Sequence, residues 1–234
     1  MNVDIWSDVA CPWCAIGRQH MLTAIAEFTD KADTPDEVTI RWRSFQLNAD
    51  EKPKIEGDYA TALAQKYGMS RDRAKGLVKE MSARGTAIGV PYNFDIIQAG
   101  NTFDCHRLLH LALEAGLQDA LKTRLFLAYF NEGQLMSDHA ALLDLAVEVG
   151  LDADRVRQML SSQEFAQDVR RDQQLAQQIG VRGVPFFVMN EKLGVSGAQP
   201  VQVLVKALEQ VWGDERQAQP APEAPACGPD SCEV

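Results

Sequence analysis

The sequence lacks any long hydrophobic run. No apolar stretch approaches the ~20 residues that a membrane-spanning helix needs. It also lacks an excess of positive charge: 23 Lys and Arg stand against 33 Asp and Glu, a formal net charge of −10 over 234 residues. Nucleic-acid binding through phosphates requires clustered Lys and Arg, so this balance argues against a nucleic-acid partner. The opening Met1-Asn2-Val3-Asp4-Ile5 lacks the basic and apolar regions of a signal peptide, and a cytoplasmic location with no membrane partner is expected. Cysteine is scarce too. Five residues are too few to staple a chain of this length, which can bury a core without them.

Those five cysteines are nonetheless the informative residues. Four fall into two close pairs, Cys11/Cys14 and Cys227/Cys232, with Cys105 left over. A cytosolic chain seldom keeps structural disulfides, so close pairs point to redox chemistry or metal binding. A zinc half-site at Cys11/Cys14 would need two more ligands. The other close pair has four intervening residues rather than the usual two, so no metal site is expected.

The pattern places Cys11-Pro12-Trp13-Cys14 between a strand, Val3 to Ser7, and an amphipathic helix reaching about Phe28. A loop at Lys31–Asp36 and a second strand, Val38 to Leu47, follow. Next come seven helical segments: Tyr59–Tyr67, Arg71–Ala87, Phe103–Ala115, Gln118–Asn131, His139–Val149, Asp154–Leu160 and Glu164–Ile179. Ser70, Thr102, Ser137 and Asp152 are the expected N-caps, and Gly68, Gly116, Gly133, Gly150 and Gly180 the expected stops. Strands return at Val184–Met189 and Leu193–Val195, followed by a last helix whose apolar side runs to Val211. The expected fold class is therefore α/β. Residues 1–52 and 181–212 form one domain, 53–180 an inserted all-helical domain, and 213–234 an acidic Pro-rich tail.

At a helix N-terminus, backbone N–H groups and the macrodipole favour a thiolate, so the Cys11 pKa is expected to fall from ~8.5 toward neutral. Pro12 suits the first turn because it has no N–H to leave unpaired. Cys11 is then the attacking thiol and Cys14 the resolving one. Cys105 and His106 are adjacent on a helix, so their side chains diverge by ~100° and do not form a nucleophile–base pair. Cys105 is expected to pack in a core, and His106 and His110 to pack or cap.

The Cys11-Pro-Trp-Cys14 segment after the first strand, the helical insertion and Gly180-Val-Arg-Gly-Val-Pro185 before the third strand together resemble the DsbA family. Within it, Asn101-Thr102 followed by His106-Arg107-Leu108 resembles the FrnE-like cytoplasmic branch. The likeness covers about residues 1–212. It implies a thioredoxin-like fold with an inserted helical domain, and a protein-disulfide oxidoreductase or isomerase active in oxidative stress. It also implies that Val184-Pro185 is a cis-proline loop facing the active site; the sequence alone equally fits a trans proline heading a strand. Trp13 and this loop would shape a groove in which the Val184 backbone pairs with an extended substrate. Substrates would be proteins carrying thiols or disulfides. No cofactor beyond the redox-active disulfide is implied, with glutathione or a thioredoxin system as electron partner.

Two departures from the better-known periplasmic members stand out. Their Pro-His dipeptide is Pro-Trp here, which implies a less acidic Cys11 and a less oxidising disulfide. The buried acid often found six residues before the first cysteine is replaced by Ile5; Asp8 is then either a proton relay or a loop-exposed residue. The tail pair lies outside the resemblance. Gly228-Pro229-Asp230 is turn chemistry that brings Cys227 and Cys232 together. Residues 213–226, as a coil of roughly 20 Å, would reach across a domain whose radius of gyration is about 17 Å. A second redox pair exchanging with Cys11/Cys14 is one reading and an independent disulfide the other. Two further functional readings compete. In the glutathione-dependent branch with kappa-class transferases and chromene-carboxylate isomerases, a Ser usually replaces Cys11. In a redox-regulated chaperone or sensor, the cysteines would control client binding.

Overall fold

The computed structural model describes residues 1–31 and 38–218. Among them, four strands form one sheet in the order β2-β1-β3-β4, with β1 at Asn2–Ser7, β2 at Thr39–Ser44, β3 at Phe186–Met189 and β4 at Leu193–Ser196. β1 and β2 are parallel, as the crossover through helix α1 (Pro12–Thr29) requires. β3 runs antiparallel to β1, and β4 returns beside β3 as a hairpin. Successive side chains on β1 alternate between faces. Val3 and Ile5 enter an apolar layer with Met21 and Phe28 of α1 and Leu204 and Leu208 of α9 (Val201–Ala218). Trp6 points the other way, against Ala176 and Val181.

Between β2 and β3 lie seven helices: α2 (Tyr59–Tyr67), α3 (Arg71–Ala87), α4 (Phe103–Glu114), α5 (Gln118–Asn131), α6 (His139–Glu148), α7 (Ala153–Leu160) and α8 (Ala166–Gln178). Asp58 and Ser70 cap α2 and α3 through their side chains, and Gly68 closes α2 in the left-handed conformation. Asp152 caps α7 as expected. Two expected caps differ. Thr102 makes no side-chain cap bond, and Asn101 Oδ1 instead accepts from Phe103 N at 2.8 Å. The cap of α6 is Asp138 rather than Ser137, whose hydroxyl donates to the Pro53 carbonyl.

Strand and helix ends shift for identifiable reasons. β2 stops at Ser44 because Leu47 N donates to Asp8 Oδ2 at 2.8 Å instead of extending the ladder. β3 begins at Phe186, directly after the cis Val184-Pro185 bond, and not at Val184 as expected. α8 starts at Ala166, since Phe165 takes a left-handed conformation at φ 59°. α9 continues six residues past its expected end at Trp212, and Asn190 Nδ2 donates to Glu215 Oε1 at 2.6 Å. Residues 213–218, expected in the tail, are therefore helical. The expected loop at 32–36 and the pair Cys227/Cys232 lie outside the described residues.

The helical segment is fastened to the sheet by polar contacts at its edge. Gln118 pairs with both backbone groups of Trp42, accepting from its N at 2.8 Å and donating to its O at 2.9 Å, and so covers an edge strand as a further strand would. Asp119 accepts from Trp42 Nε1 and Arg18. Arg107, buried on α4, donates to the carbonyls of Met159, Ser162 and Glu164 and to Asp104, which pins the α7–α8 connection.

Candidate active site

Cys11 is the N-cap residue of α1, with Pro12 at the first helical position. Its N–H donates to Asp8 O, and Cys14 N donates to Cys11 O at 3.0 Å. This turn brings both thiols to the junction of α1 with the helical segment, where they share an apolar cluster with Leu108 and Leu125. Both are free thiols; Cys11 is 4% exposed and Cys14 fully buried. The Cys11 thiol donates to Val184 O at 3.6 Å, across from the cis Val184-Pro185 bond. Gly17, one turn further into α1, lets the helix approach that loop, for a Cβ there would meet the Pro185 ring.

Above the sulfurs lies a groove of about 690 Å³ whose walls include Trp13, Tyr59, Tyr67, Lys66 and Arg182. Trp13 is 38% exposed at its mouth, with the Arg84 guanidinium over the ring at 5.7 Å. Tyr92 holds the floor in place, its hydroxyl donating to Pro12 O at 2.7 Å. The structure thus brings together Cys11, Cys14, Pro12, Trp13, Val184 and Pro185.

The two thiols titrate as a coupled pair. A hydrogen bond with Cys14 and burial push the Cys11 thiol well above its ordinary value. Burial also works against ionising Cys14, but the contact from Cys11, the nearby Ser7 side chain and the charge of Lys122 bring its pKa down. The expectation of an acidified Cys11 is therefore reversed in the reduced pair: the first negative charge lies toward Cys14. The reason is that the hydrogen bond with Cys14, added to burial, disfavours the Cys11 thiolate, while the contact from Cys11 and the field of Lys122 favour the charge on Cys14, which is no less buried.

The loop-exposed reading of Asp8 does not hold: it is 2% exposed, beside the buried cysteine pair. Burial alone would raise its pKa. The contact and charge of His106, the Leu47 N–H and the field of Lys122 outweigh that and bring it down to about 2. His106 Nε2 lies 3.5 Å from Asp8 Oδ1, a long contact, and burial holds the imidazole neutral by lowering its pKa. Neither His106 nor His110 caps a helix; His110 meets Ser44 Oγ at 3.0 Å and Asp172 at 3.3 Å. Cys105 packs as expected, fully buried, with its thiol donating to Met136 O at 3.2 Å.

Residues 2–209 match the family described as the DSBA-like thioredoxin domain. The chain belongs to that family. A crystal structure of a probable DsbA oxidoreductase from Streptomyces coelicolor is 41% identical, with a TM-score of 0.86, and covers 100% of this chain and 99% of its own. The uncharacterized protein YwbO of Bacillus subtilis is 26% identical over 213 residues, 89% of this chain and 96% of that one. The cytosolic disulfide reductase DsbM of Pseudomonas aeruginosa shares the fold at 14% identity and a TM-score of 0.60, over 94% and 100% of the two chains. The α/β architecture with a helical insertion in a thioredoxin-like fold follows from this membership, as does kinship with thiol–disulfide oxidoreductases.

Sequence reasoning passed over Tyr92 and Lys122. Tyr92 gave no signal, because its partner is a backbone carbonyl. Lys122 did give one: it shares a helical stripe with Gln118, Leu125, Phe126 and Tyr129, which are all buried.

Proposed function

We propose that this protein is a thiol–disulfide oxidoreductase acting on protein disulfides through Cys11 and Cys14. The observation that carries the reading is the pair of free thiols at the start of α1, opening to a partly apolar groove beside a backbone carbonyl of the cis-proline loop. In the reducing direction the Cys11 thiolate attacks one sulfur of a substrate disulfide. The substrate S–S bond breaks, its second sulfur leaves as a thiolate and takes a proton, and Cys11 holds the first in a mixed disulfide. The Cys14 thiolate then attacks Cys11. The Cys11–Cys14 bond forms, the remaining substrate thiolate departs, and the substrate has gained two electrons. The oxidised pair is reset by glutathione or a thioredoxin system, in keeping with a cytoplasmic setting. Isomerisation uses the first step alone, followed by attack of a second substrate thiol on the mixed disulfide.

Trp13, Pro12, Val184 and Pro185 line or support the groove in this reading. Cys227 and Cys232 serve as a second redox pair, so removing residues 219–234 slows turnover. Insulin reduction is the direct test. Wild type turns over, Cys11→Ser is inactive, and Cys14→Ser accumulates mixed disulfides that mass spectrometry detects. Full activity in Cys11→Ser would end the proposal.

A further inference from the structure

The buried side of the cysteine pair carries an uncompensated cation. Gln118 and Lys122 are four apart and share a face of α5. Because the Gln118 amide is clamped to the Trp42 backbone, Lys122 is carried in beneath the sheet edge. Its side chain is fully buried, and among the described residues Nζ has no hydrogen-bond partner. Nζ lies 5.2 Å from the ring centroid of Trp42 and 4.9 Å from that of Phe126, and Phe126 belongs to the same apolar cluster as Cys11 and Cys14. Burying an ammonium without a hydrogen-bonded counter-ion costs more than cation–π contact returns. A Leu or Met would serve packing better, so stability does not account for this residue. Ser7 Oγ and both ring nitrogens of His106 are likewise buried without partners. Four unpartnered polar atoms on three elements thus surround the floor where Asp8 and Cys14 lie.

We propose that Lys122 is a positioning residue for thiol–disulfide exchange, its buried charge holding Cys14 as the thiolate that resolves the mixed disulfide on Cys11. This rests on the reading of Cys11 and Cys14 as an exchanging pair. Cys14 and Asp8 are the acidic groups whose fields act most on Lys122, against burial, which lowers its pKa. The other groups facing this floor are Ser7, His106 with His110 beyond it, and Tyr129. Asp8 is an anion and opposes a second negative charge, and neutral His106 does not offset it; Lys122 supplies the missing positive charge. In the step, Cys14 loses its proton to solvent, and the thiolate attacks the Cys11 sulfur. The Cys14–Cys11 bond forms, the bond from Cys11 to the substrate sulfur breaks, and the departing thiolate regains a proton from solvent in the groove.

The test uses the full-length protein with Cys227→Ser and Cys232→Ser, reduced and mixed with limiting 5,5′-dithiobis(2-nitrobenzoate) in a stopped-flow instrument. One thionitrobenzoate leaves when Cys11 attacks and a second when Cys14 resolves, so the pH profile of the second phase reports Cys14. Removing a nearby opposite charge moves a pKa by roughly one to three pH units. In Lys122→Met the midpoint of the second phase therefore moves up by that amount. The more basic thiolate is the better nucleophile, with a Brønsted slope of about 0.4–0.5, so the net loss at pH 7 is about 3- to 50-fold. A Lys122→Met profile that superposes on wild type overturns the proposal. The wild-type midpoint decides the matter even if the variant does not fold: below the ordinary thiol value of about 8.5 it supports Lys122, and at or above it overturns it. Absence of a second release from wild type takes down the exchange reading, and Lys122 with it. Release with an unshifted variant takes down Lys122 alone.

Discussion

Gly17→Ala tests whether α1 and the cis-proline loop are held in contact by the absence of a side chain. A Cβ at Gly17 would lie 2.7 Å from Pro185 Cγ, 3.1 Å from Phe187 Cζ and 3.3 Å from Pro185 Cβ. Optimal carbon contacts are about 3.5–4.0 Å. The proline ring has no rotamer with which to retreat, so either α1 or the loop must move. Forcing a methyl into such a site costs about 1–3 kcal/mol, whereas Ala in place of Gly inside a helix gains about 0.8–1.0 kcal/mol. Gly76 supplies the matched control, since it is interior to α3 with nothing within 4 Å of its added Cβ. The propensity gain is common to both sites, so the difference between the two variants isolates the close approach. Gly76→Ala should raise stability by about 1 kcal/mol, and Gly17→Ala should lower it by up to about 2 kcal/mol. Urea unfolding with unchanged m-values measures both. In a thermal scan each kcal/mol appears as roughly 2–4 °C for a chain of this size. Displacing the loop also moves Val184 O from the Cys11 thiol, so Gly17→Ala raises KM for insulin and Gly76→Ala does not. Equal stabilisation by the two substitutions would refute the packing argument.

Acid should destabilise the protein in two stages. His106, held neutral by burial, binds fewer protons folded than unfolded, so its contribution is lost as pH falls below about 6.5. Asp8, lowered to about 2 in the folded state, contributes stability above its unfolded value of 3.8 that is lost as pH falls toward 2. That loss is about 2 kcal/mol, and Asp8→Asn should flatten this part of a urea-midpoint profile. Arg107→Met leaves the carbonyls of Met159, Ser162 and Glu164 without their donor and should cost about 3–5 kcal/mol in urea. Gln118→Ala unpairs two buried backbone groups of Trp42, at about 1–3 kcal/mol each. It should also shift the Cys14 midpoint upward, because Lys122 is carried on the same face.

The helices were legible where polar punctuation and apolar periodicity agreed. Asp58 and Gly68 bracket α2 so closely that its expected and observed ends coincide, and Ser70 does the same for the start of α3. Boundaries moved where a distant group took over a backbone partner. Asp8 claims the Leu47 N–H and ends β2, and the choice between Ser137 and Asp138 as cap turned on Pro53, far away in sequence. The cysteine turn was readable because its chemistry is local to a few residues, whereas the cis form of Val184-Pro185 was implied only by the family resemblance. The charge beneath them was not, because it is assembled from β1, α4 and α5, and no spacing rule connects those segments.

That assembly also accounts for Ile5 at the position where the fold commonly keeps a buried acid. Ile5 faces Met21, Phe28 and Leu208, an apolar layer with no donor to receive a carboxylate. Three residues on, the strand has ended, and the backbone N–H groups of Ala10 and Leu47 are free to meet Asp8. Burial of the acid is opposed there by the Leu47 N–H together with His106 and Lys122, the last two supplied by the helical segment. The sheet and α1 bring the sulfurs; α5 brings the buried Lys122 whose field acts on Cys14, and α4 the imidazole beside Asp8. On the proposed exchange, substitutions at the α5–β2 seam should register in cysteine titration even though they touch neither sulfur.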